Sequence, residues 1–326
     1  MRLEYLFDNG LLTVAKKPKS NSLDLKTLGE KKLVLIPIDH DYPGGSALMH
    51  NAVFEKLELP YQTVFVIGNP KDTELIINTF RSDERYIGGG MGSGFKNKAP
   101  MYMDNLDDSA KVLGSINVVQ KKDGKLIGYN TDGLGFVRGL LSEYPDAVYN
   151  KKILILGAGG TTSPIAYELS RKNPSEIVIL NRTVANAEPV AKIVMDSGYK
   201  NIRVGGEDLI GKELRNADLV INTSKKGEHP NEMYTAFGPM SKDYISDMTI
   251  ALSNLKNLPK TAIVADIILE DDPMTLKVAR ASGYMTHNGR SMNLYQAIPA
   301  IKLMTGINVE DSVLEKIMRE ANVSTR

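Results

Sequence analysis

Cysteine is missing from all 326 residues, which removes disulfides, thiolate metal ligands and a cysteine nucleophile, and fits a reducing compartment. Histidine is nearly as scarce: the four, at 40, 50, 229 and 287, form no spaced metal motif, and no bound metal is expected. His50, within MHN, reads as a packing or capping residue. No charge of one sign prevails, since 40 Lys and Arg stand against 39 Asp and Glu. Bulk charge therefore gives no field to attract a nucleic acid or an anionic membrane. Long hydrophobic runs are absent too: none approaches the ~20 residues of a spanning helix, and MRLEYLFDNGLL places acidic residues where a signal peptide keeps an apolar core. These absences predict a cytoplasmic protein with neither nucleic-acid nor membrane partners. A monomer or homodimer is expected.

What is present is an α/β pattern too long for one growing core, so two domains are expected. Residues 1–31 read as an irregular, lysine-rich extension with one short strand at GLLTVA. KLVLIPI and YQTVFVIG have the short apolar runs of strands. SALMHNAVFEKL reads as a helix with Met49, Val53 and Leu57 on one face, and DTELIINTFRSD as another. SINVVQKKDGKLIGYN is a hairpin turning at Asp123-Gly124, and NTDGLGFVRGLL starts a helix. After Tyr149 the apolar strands KILILG, EIVIL, DLVIN and AIVAD, separated by helical or loop segments, predict a parallel sheet covered on both faces. The tail reads as an amphipathic helix with Val313, Ile317 and Ala321 aligned.

Two glycine stretches invite a phosphate reading. In GGGMGSGFKNK, residues 88–98, Phe95 separates Gly94 from Lys96, so a P-loop is excluded, and no register supplies the dinucleotide spacing. ILILGAGGTTSPIAYEL has the right setting instead: an apolar strand, then Gly157, Ala158, Gly159 and Gly160, then a helical pattern that tolerates Pro164 in its first turn. Glycines there let the backbone approach a pyrophosphate held by helix N–H groups. Thr162 stands at the sixth position, where glycine is usual, and a structural turn without ligand is the competing reading. The next strand ends in Asn181, Arg182 and Thr183, with no carboxylate for a ribose 2′-OH. Arg182 can pair with a 2′-phosphate and stack on adenine, which favours NADP over NAD.

Taken in order, SALMHN, GFKNK, GSINVV, GYNTDG, GAGG, NRT, NTSKKG, VADIIL and GRSMNLYQA resemble the shikimate dehydrogenase family. The resemblance implies an N-terminal α/β substrate domain, residues 1–135 and 289–326, and a Rossmann-type NADP-binding domain, residues 136–288. It implies reversible hydride transfer between NADP(H) and a cyclic hydroxy acid, 3-dehydroshikimate to shikimate, within aromatic amino acid biosynthesis. Lys96 falls on the family's catalytic lysine, in a loop, and Asp132 on its partner carboxylate. Asn117 and Gln296 fall on amides that bind ring hydroxyls, and Ser46 on a carboxylate-binding serine. Thr223, Gly289 and Met292 join the cofactor residues by the same match. Hydride transfer at a secondary alcohol needs such a proton-transfer group, and a lysine at its ordinary pKa of ~10.4 needs burial or a helix N-terminus to serve near neutrality. The segment NKAPMYMDNL after Lys96 reads as the start of such a helix. On residue type alone, Lys96 reads as a solvated lysine, Asp132 as a helix N-cap, Asn117 as a turn residue and Gln296 as a helix-surface residue.

The sequence also departs from the pattern. Gly44, Ala47 and Leu269 stand where the family carries serine, proline and tyrosine, and Gly90 and Gly92 replace polar residues. A buried ligand carboxylate needs donors, so Tyr42, Lys98, Arg290 or backbone N–H groups would have to replace them, or the ligand differs. A bulkier ring acid using room left by the glycines, a quinate or amino-analogue paralogue, and an NADP sensor or scaffold without turnover are the alternatives.

Overall fold

The computed structural model describes residues 2–16, 21–26, 30–41, 45–228, 233–241, 243–270 and 272–323. The chain forms two compact units, Met1–Thr131 with Asn293–Arg326, and Asp132–Met292.

The first unit opens with α1 (Leu3–Asp8) and β1 (Leu12–Val14). The strand lies within GLLTVA, as expected; the helix is not foreseen by the sequence pattern. Six residues are too few for a helix stable in isolation. Tertiary contacts hold it: Leu3 and Leu6 are buried in one core with Phe80 and Tyr86, and the Leu3 N–H donates to Asp83 at 3.0 Å. Arg85 pairs with both Glu4, at 2.8 Å, and Asp83, at 2.6 Å.

Next come β2 (Lys32–Ile38), α2 (Ser46–Lys56), β3 (Tyr61–Gly68), α3 (Thr73–Ser82) and β4 (Tyr86–Gly90). They are followed by β5 (Asn105–Leu106), α4 (Asp108–Leu113) and the hairpin of β6 (Val118–Lys122) and β7 (Lys125–Tyr129). Asp123 at φ 51° and Gly124 at φ 75° form its turn, with the positive angles that the sequence predicts. Strand order is β1-β3-β2-β4-β6-β7-β5. Gly88, Gly89 and Gly90, the start of the glycine stretch that precedes Lys96, are thus strand residues. Crowding accounts for glycine there: a Cβ on Gly89 would stand 1.8 Å from the Leu35 carbonyl oxygen, and one on Gly88 2.5 Å from that of Val119.

The second unit begins with α5 (Asp132–Glu143) and carries the strands β8 (Lys152–Leu156), β9 (Glu176–Leu180), β10 (Ile202–Gly205), β11 (Leu219–Asn222), β12 (Ile263–Asp266) and β13 (Met285–Asn288). Between them lie α6 (Thr162–Ser170), α7 (Glu188–Asp196), α8 (Ile210–Glu213), α9 (Tyr244–Leu255) and α10 (Met274–Ala281). All pairings are parallel and the order is β10-β9-β8-β11-β12-β13. Strand order reverses between β8 and β11, as in a doubly wound Rossmann-type fold. The central strands are apolar throughout because both faces are covered. Ile153, Ile155, Ile177 and Ile179 enter one core, and Leu154, Leu156, Val178 and Leu180 the other. The segment after Gly227, which matches no motif, supplies Ala236, Phe237, Ala251 and Leu255 to that second core.

The chain then passes through α11 (Arg290–Thr305) into α12 (Asp311–Val323) of the first unit. Here the expected face is rotated by a residue. Leu314 and Met318 are fully buried, with α12 packed on α2, while Val313 is 44% exposed. Among the described residues no helix is long and apolar enough to cross a membrane, and no group of His, Cys, Asp and Glu side chains could hold a metal ion.

Candidate active site

In the second unit, β8 delivers the chain to Gly157, whose φ of 116° suits glycine. A Cβ there would also stand 2.7 Å from the Ser224 nitrogen. Packing makes no such demand at the next two glycines. A Cβ on Gly159 would meet only the Thr223 carbonyl oxygen at 3.5 Å, and one on Gly160 would meet nothing within 4 Å. Open space therefore stands over the start of α6, whose N-cap, Thr161, makes no side-chain capping bond. Uncapped N–H groups and the positive end of a helix dipole favour a phosphate there. The arrangement fits a dinucleotide pyrophosphate.

Thr162, in place of the usual third glycine, is buried and donates to Thr223 Oγ1 at 2.9 Å; the Thr223 hydroxyl donates to the Gly157 carbonyl at 3.1 Å. These hydroxyls tie the ends of β8 and β11 together. α5 and α6 meet backbone to backbone, since a Cβ on Gly133 would lie 2.0 Å from the Pro164 oxygen. Beyond β9, the Asn181 amide donates to the Thr183 carbonyl at 2.8 Å and shapes the turn, leaving Arg182 and Thr183 exposed. The Gly289 N–H donates to the Asp266 carbonyl at 2.6 Å. Met292 is buried in the core that lines one face of the sheet. Asp132, the first residue of α5, is buried and belongs to this unit.

Sequence reasoning passes over one organising residue. Asp266 ends β12, and burial pushes its carboxyl up to about 7, with hydrogen bonds from Asn222, the Ile268 N–H and Thr275 opposing the rise. Asn222 Nδ2 donates to it at 2.9 Å, and Asn222 Oδ1 accepts from Ser224 Oγ at 2.7 Å. The pair thereby orders the loop that faces Gly157. Its signal in the sequence is a carboxylate closing an otherwise apolar strand, VADIIL.

In the first unit, main-chain bonds place Lys96. Its N–H donates to the Gly92 carbonyl at 3.3 Å, and its carbonyl accepts from the Ile116 N–H at 3.0 Å. The Met91 N–H donates to the Asn117 carbonyl at 2.9 Å, so the loop runs alongside Asn117. Asn117 Nδ2 donates to Gln296 Oε1 at 3.2 Å and to Thr131 Oγ1 at 3.0 Å, while its Oδ1 accepts from the Thr131 N–H at 2.8 Å. Lys96, Asn117 and Gln296, far apart in sequence, thus share one corner of the unit. The helix expected after Lys96 is only a 3-10 turn at Ala99–Tyr102. Ser46 starts α2; Tyr42 and Gly44 lie outside the described residues. Lys98 donates to the Pro70 carbonyl at 3.2 Å, Leu269 is exposed, and the Arg290 N–H donates to Asn288 Oδ1 at 2.9 Å. The room expected beside the glycines is filled. A Cβ on Gly92 would stand 2.3 Å from Ile38 Cγ2, and one on Gly90 3.1 Å from Ile36 Cγ2. Both isoleucines are buried, so the neighbouring strand, not a bulkier ligand, takes up the space. His50 is buried as a packing residue, with Nδ1 3.3 Å from Thr63 Oγ1.

A glycine turn before an uncapped helix start at the switch point of a parallel sheet, in a chain with a second α/β unit, is the build of a two-domain nicotinamide-dependent dehydrogenase. Residues 37–119 match the shikimate dehydrogenase substrate binding domain, and residues 140–235 match shikimate / quinate 5-dehydrogenase. The chain belongs to the shikimate/quinate 5-dehydrogenase family. It is 32% identical over 286 residues to the NADP(+) shikimate dehydrogenase of Methanococcus maripaludis, covering 86% of this chain and 93% of that protein. The shikimate 5-dehydrogenase of Listeria monocytogenes, solved with shikimate and NAD, superposes with a TM-score of 0.76 at 25% identity, covering 91% of this chain and all of that one. The quinate dehydrogenase of Corynebacterium glutamicum, solved with NAD, shares the fold, with a TM-score of 0.75 at 23% identity over 89% of this chain and 99% of that one. Family membership makes the protein an oxidoreductase of CH–OH groups that uses a nicotinamide dinucleotide.

Proposed function

We propose that the protein interconverts 3-dehydroshikimate and shikimate with NADP(H). The observation that carries this reading is the corner in which main-chain bonds hold Lys96 beside Asn117, and Asn117 bonds Gln296. In reduction, the Lys96 ammonium gives its proton to the oxygen of the ring ketone as that carbon is reduced; in oxidation, the neutral amine takes it back. Asp132 accepts a hydrogen bond from the reacting hydroxyl. Asn117 and Gln296 orient the neighbouring ring hydroxyls, since an amide both donates and accepts. Ser46 donates to the ring carboxylate. NADP(H), when bound, supplies or accepts the hydride. Gly157, Ala158, Gly159 and Gly160 would hold its pyrophosphate, Asn181, Arg182 and Thr183 its phosphorylated adenosine, and Thr223, Gly289 and Met292 would line the path to its nicotinamide. Arg182 makes no ion pair among the described residues and is exposed, which leaves its guanidinium available for a 2′-phosphate.

Leu269, at the family's tyrosine position, favours a second reading in which quinate or another ring hydroxy acid is the better substrate. Steady-state assays with shikimate and quinate, each with NADP+ and NAD+, test both. Highest kcat/KM with shikimate and NADP+ supports the first reading; preference for quinate supports the second; dinucleotide binding without turnover on either contradicts both.

A further inference from the structure

A second polar constellation stands in the Rossmann-type unit; it uses none of the residues assigned to dinucleotide and ring acid, although Ser291 lies between Gly289 and Met292 in the chain. His287, in β13, is fully buried. Its Nδ1 lies 3.0 Å from Glu143 Oε2, at the end of α5, and its Nε2 lies 3.2 Å from Ser291 Oγ, in the first turn of α11. Phe136 meets the ring edge to face at 5.8 Å and fixes its plane. With Glu143 as a carboxylate accepting from Nδ1–H, Nε2 is the acceptor for the Ser291 hydroxyl. The hydroxyl's other acceptor, the Asn288 carbonyl, is longer at 3.5 Å. This is the order nucleophile, base and orienting acid, at hydrogen-bond spacing. The surroundings add to it. Ser291 is partly exposed and sits in Gly-Arg-Ser at a strand-to-helix junction, where the 16-residue α11 turns its positive end toward charge developing on the serine oxygen.

We propose that Ser291, His287 and Glu143 form an acyl-transfer triad that hydrolyses small activated carboxylic esters. Ser291 Oγ attacks the ester carbonyl carbon while its proton passes to His287 Nε2. The carbon–oxygen bond to the leaving alkoxide breaks, and that alkoxide takes the proton from His287. Water then attacks the acyl-serine, giving its proton to His287, which returns it to Ser291 as the carboxylic acid departs. The reaction needs neither dinucleotide nor redox partner, so it stands apart from the dehydrogenase reading.

The test treats the full chain with a fluorophosphonate probe and, separately, with p-nitrophenyl acetate. Adducts are located by intact mass and peptide mapping, and nitrophenolate release is followed by absorbance. The expected result is a single adduct on Ser291, ester hydrolysis that Ser291→Ala abolishes, and rates about 100-fold lower in His287→Gln, the size of a lost general base. His287 is a core residue, so its variant can fail to fold; Glu143→Gln, at a side chain 48% exposed, preserves the packing and should lower both rates about tenfold or more. Melting temperatures accompany each variant. No adduct, an adduct elsewhere, hydrolysis that survives Ser291→Ala, or a folded Glu143→Gln protein with unchanged rates would overturn the proposal.

Discussion

Lys96 owes its place to main-chain bonds with Gly92 and Ile116, so its side chain can be changed without dismantling the loop. Lys96→Met is expected to lower kcat about 100-fold or more while the KM for the ring acid moves only a few-fold, because a proton-transfer group acts in the transition state. Steady-state kinetics decide it, and a change confined to KM would assign the lysine to binding alone. Arg182 carries a separate prediction. Arg182→Ala should raise the KM for NADP+ about tenfold or more, the scale of a lost charged hydrogen bond, and leave that for NAD+ nearly unchanged. Equal losses with both dinucleotides would remove Arg182 from the 2′-phosphate. The candidate residues of both sites are legible in the sequence as motifs; their grouping is legible only through resemblance, because nothing in the local sequence around Asn117 shows that its amide meets Gln296. Asp266 escapes notice for the opposite reason: its effect comes from burial, which no single residue displays.

At the scale of elements, glycines divide into those that the fold requires and those that a ligand requires. Gly89→Ala would press a methyl into the Leu35 carbonyl, which stands 1.8 Å from the new atom, and should cost about 1–3 kcal/mol or more. Gly160→Ala meets no protein atom within 4 Å. It should keep its melting temperature while weakening dinucleotide affinity several-fold. Thermal melts and NADPH titrations of the two variants, side by side, check the distinction; comparable losses of stability would contradict it. The same elements show how far sequence pattern reaches. KILIL, EIVIL and LVIN declare themselves because strands buried on both faces are apolar at nearly every position. IRVG and MTHN, which form β10 and β13, are short and mixed in polarity, so pattern alone passes over them. α1 is hidden because Leu3 and Leu6 become helical only by docking against Phe80 and Tyr86. In α12, a four-residue spacing fits more than one face, and packing against α2 selects Leu314 and Met318.

Across the whole molecule, buried titratable groups set opposing pH dependences. Burial holds His50 neutral, lowering it from 6.5 to about 4, so its contribution to stability is full above 6.5 and lost as pH falls through 4. Asp266 is raised from 3.8 to about 7, so its contribution is full below 3.8 and lost as pH rises through 7. Between roughly 4 and 6.5 the two slopes largely cancel, and stability should be nearly flat. His50→Leu should uncover the Asp266 slope, making the variant relatively more stable at the acid end of that window. Urea midpoints at its two ends measure this, and a flat profile in the variant would contradict it. At still lower pH, Arg203 holds Glu213 down at about 2 against burial, with help from Lys152. Burial raises Asp83, but Arg85 and the Leu3 N–H outweigh it and also bring it to about 2. Both contributions are full above the ordinary carboxylate range and disappear as pH falls toward 2.

On the function proposed above, the glycine turn after β8 holds the dinucleotide and Lys96 moves the proton of the ring alcohol, and turnover tests this most directly. Purified protein mixed with NADP+ and shikimate, with reduced nicotinamide followed by absorbance, is predicted to turn over rapidly, faster than with NAD+ or quinate, and to lose nearly all activity in Lys96→Met. A folded protein that binds NADPH yet reduces no NADP+ with shikimate would contradict it.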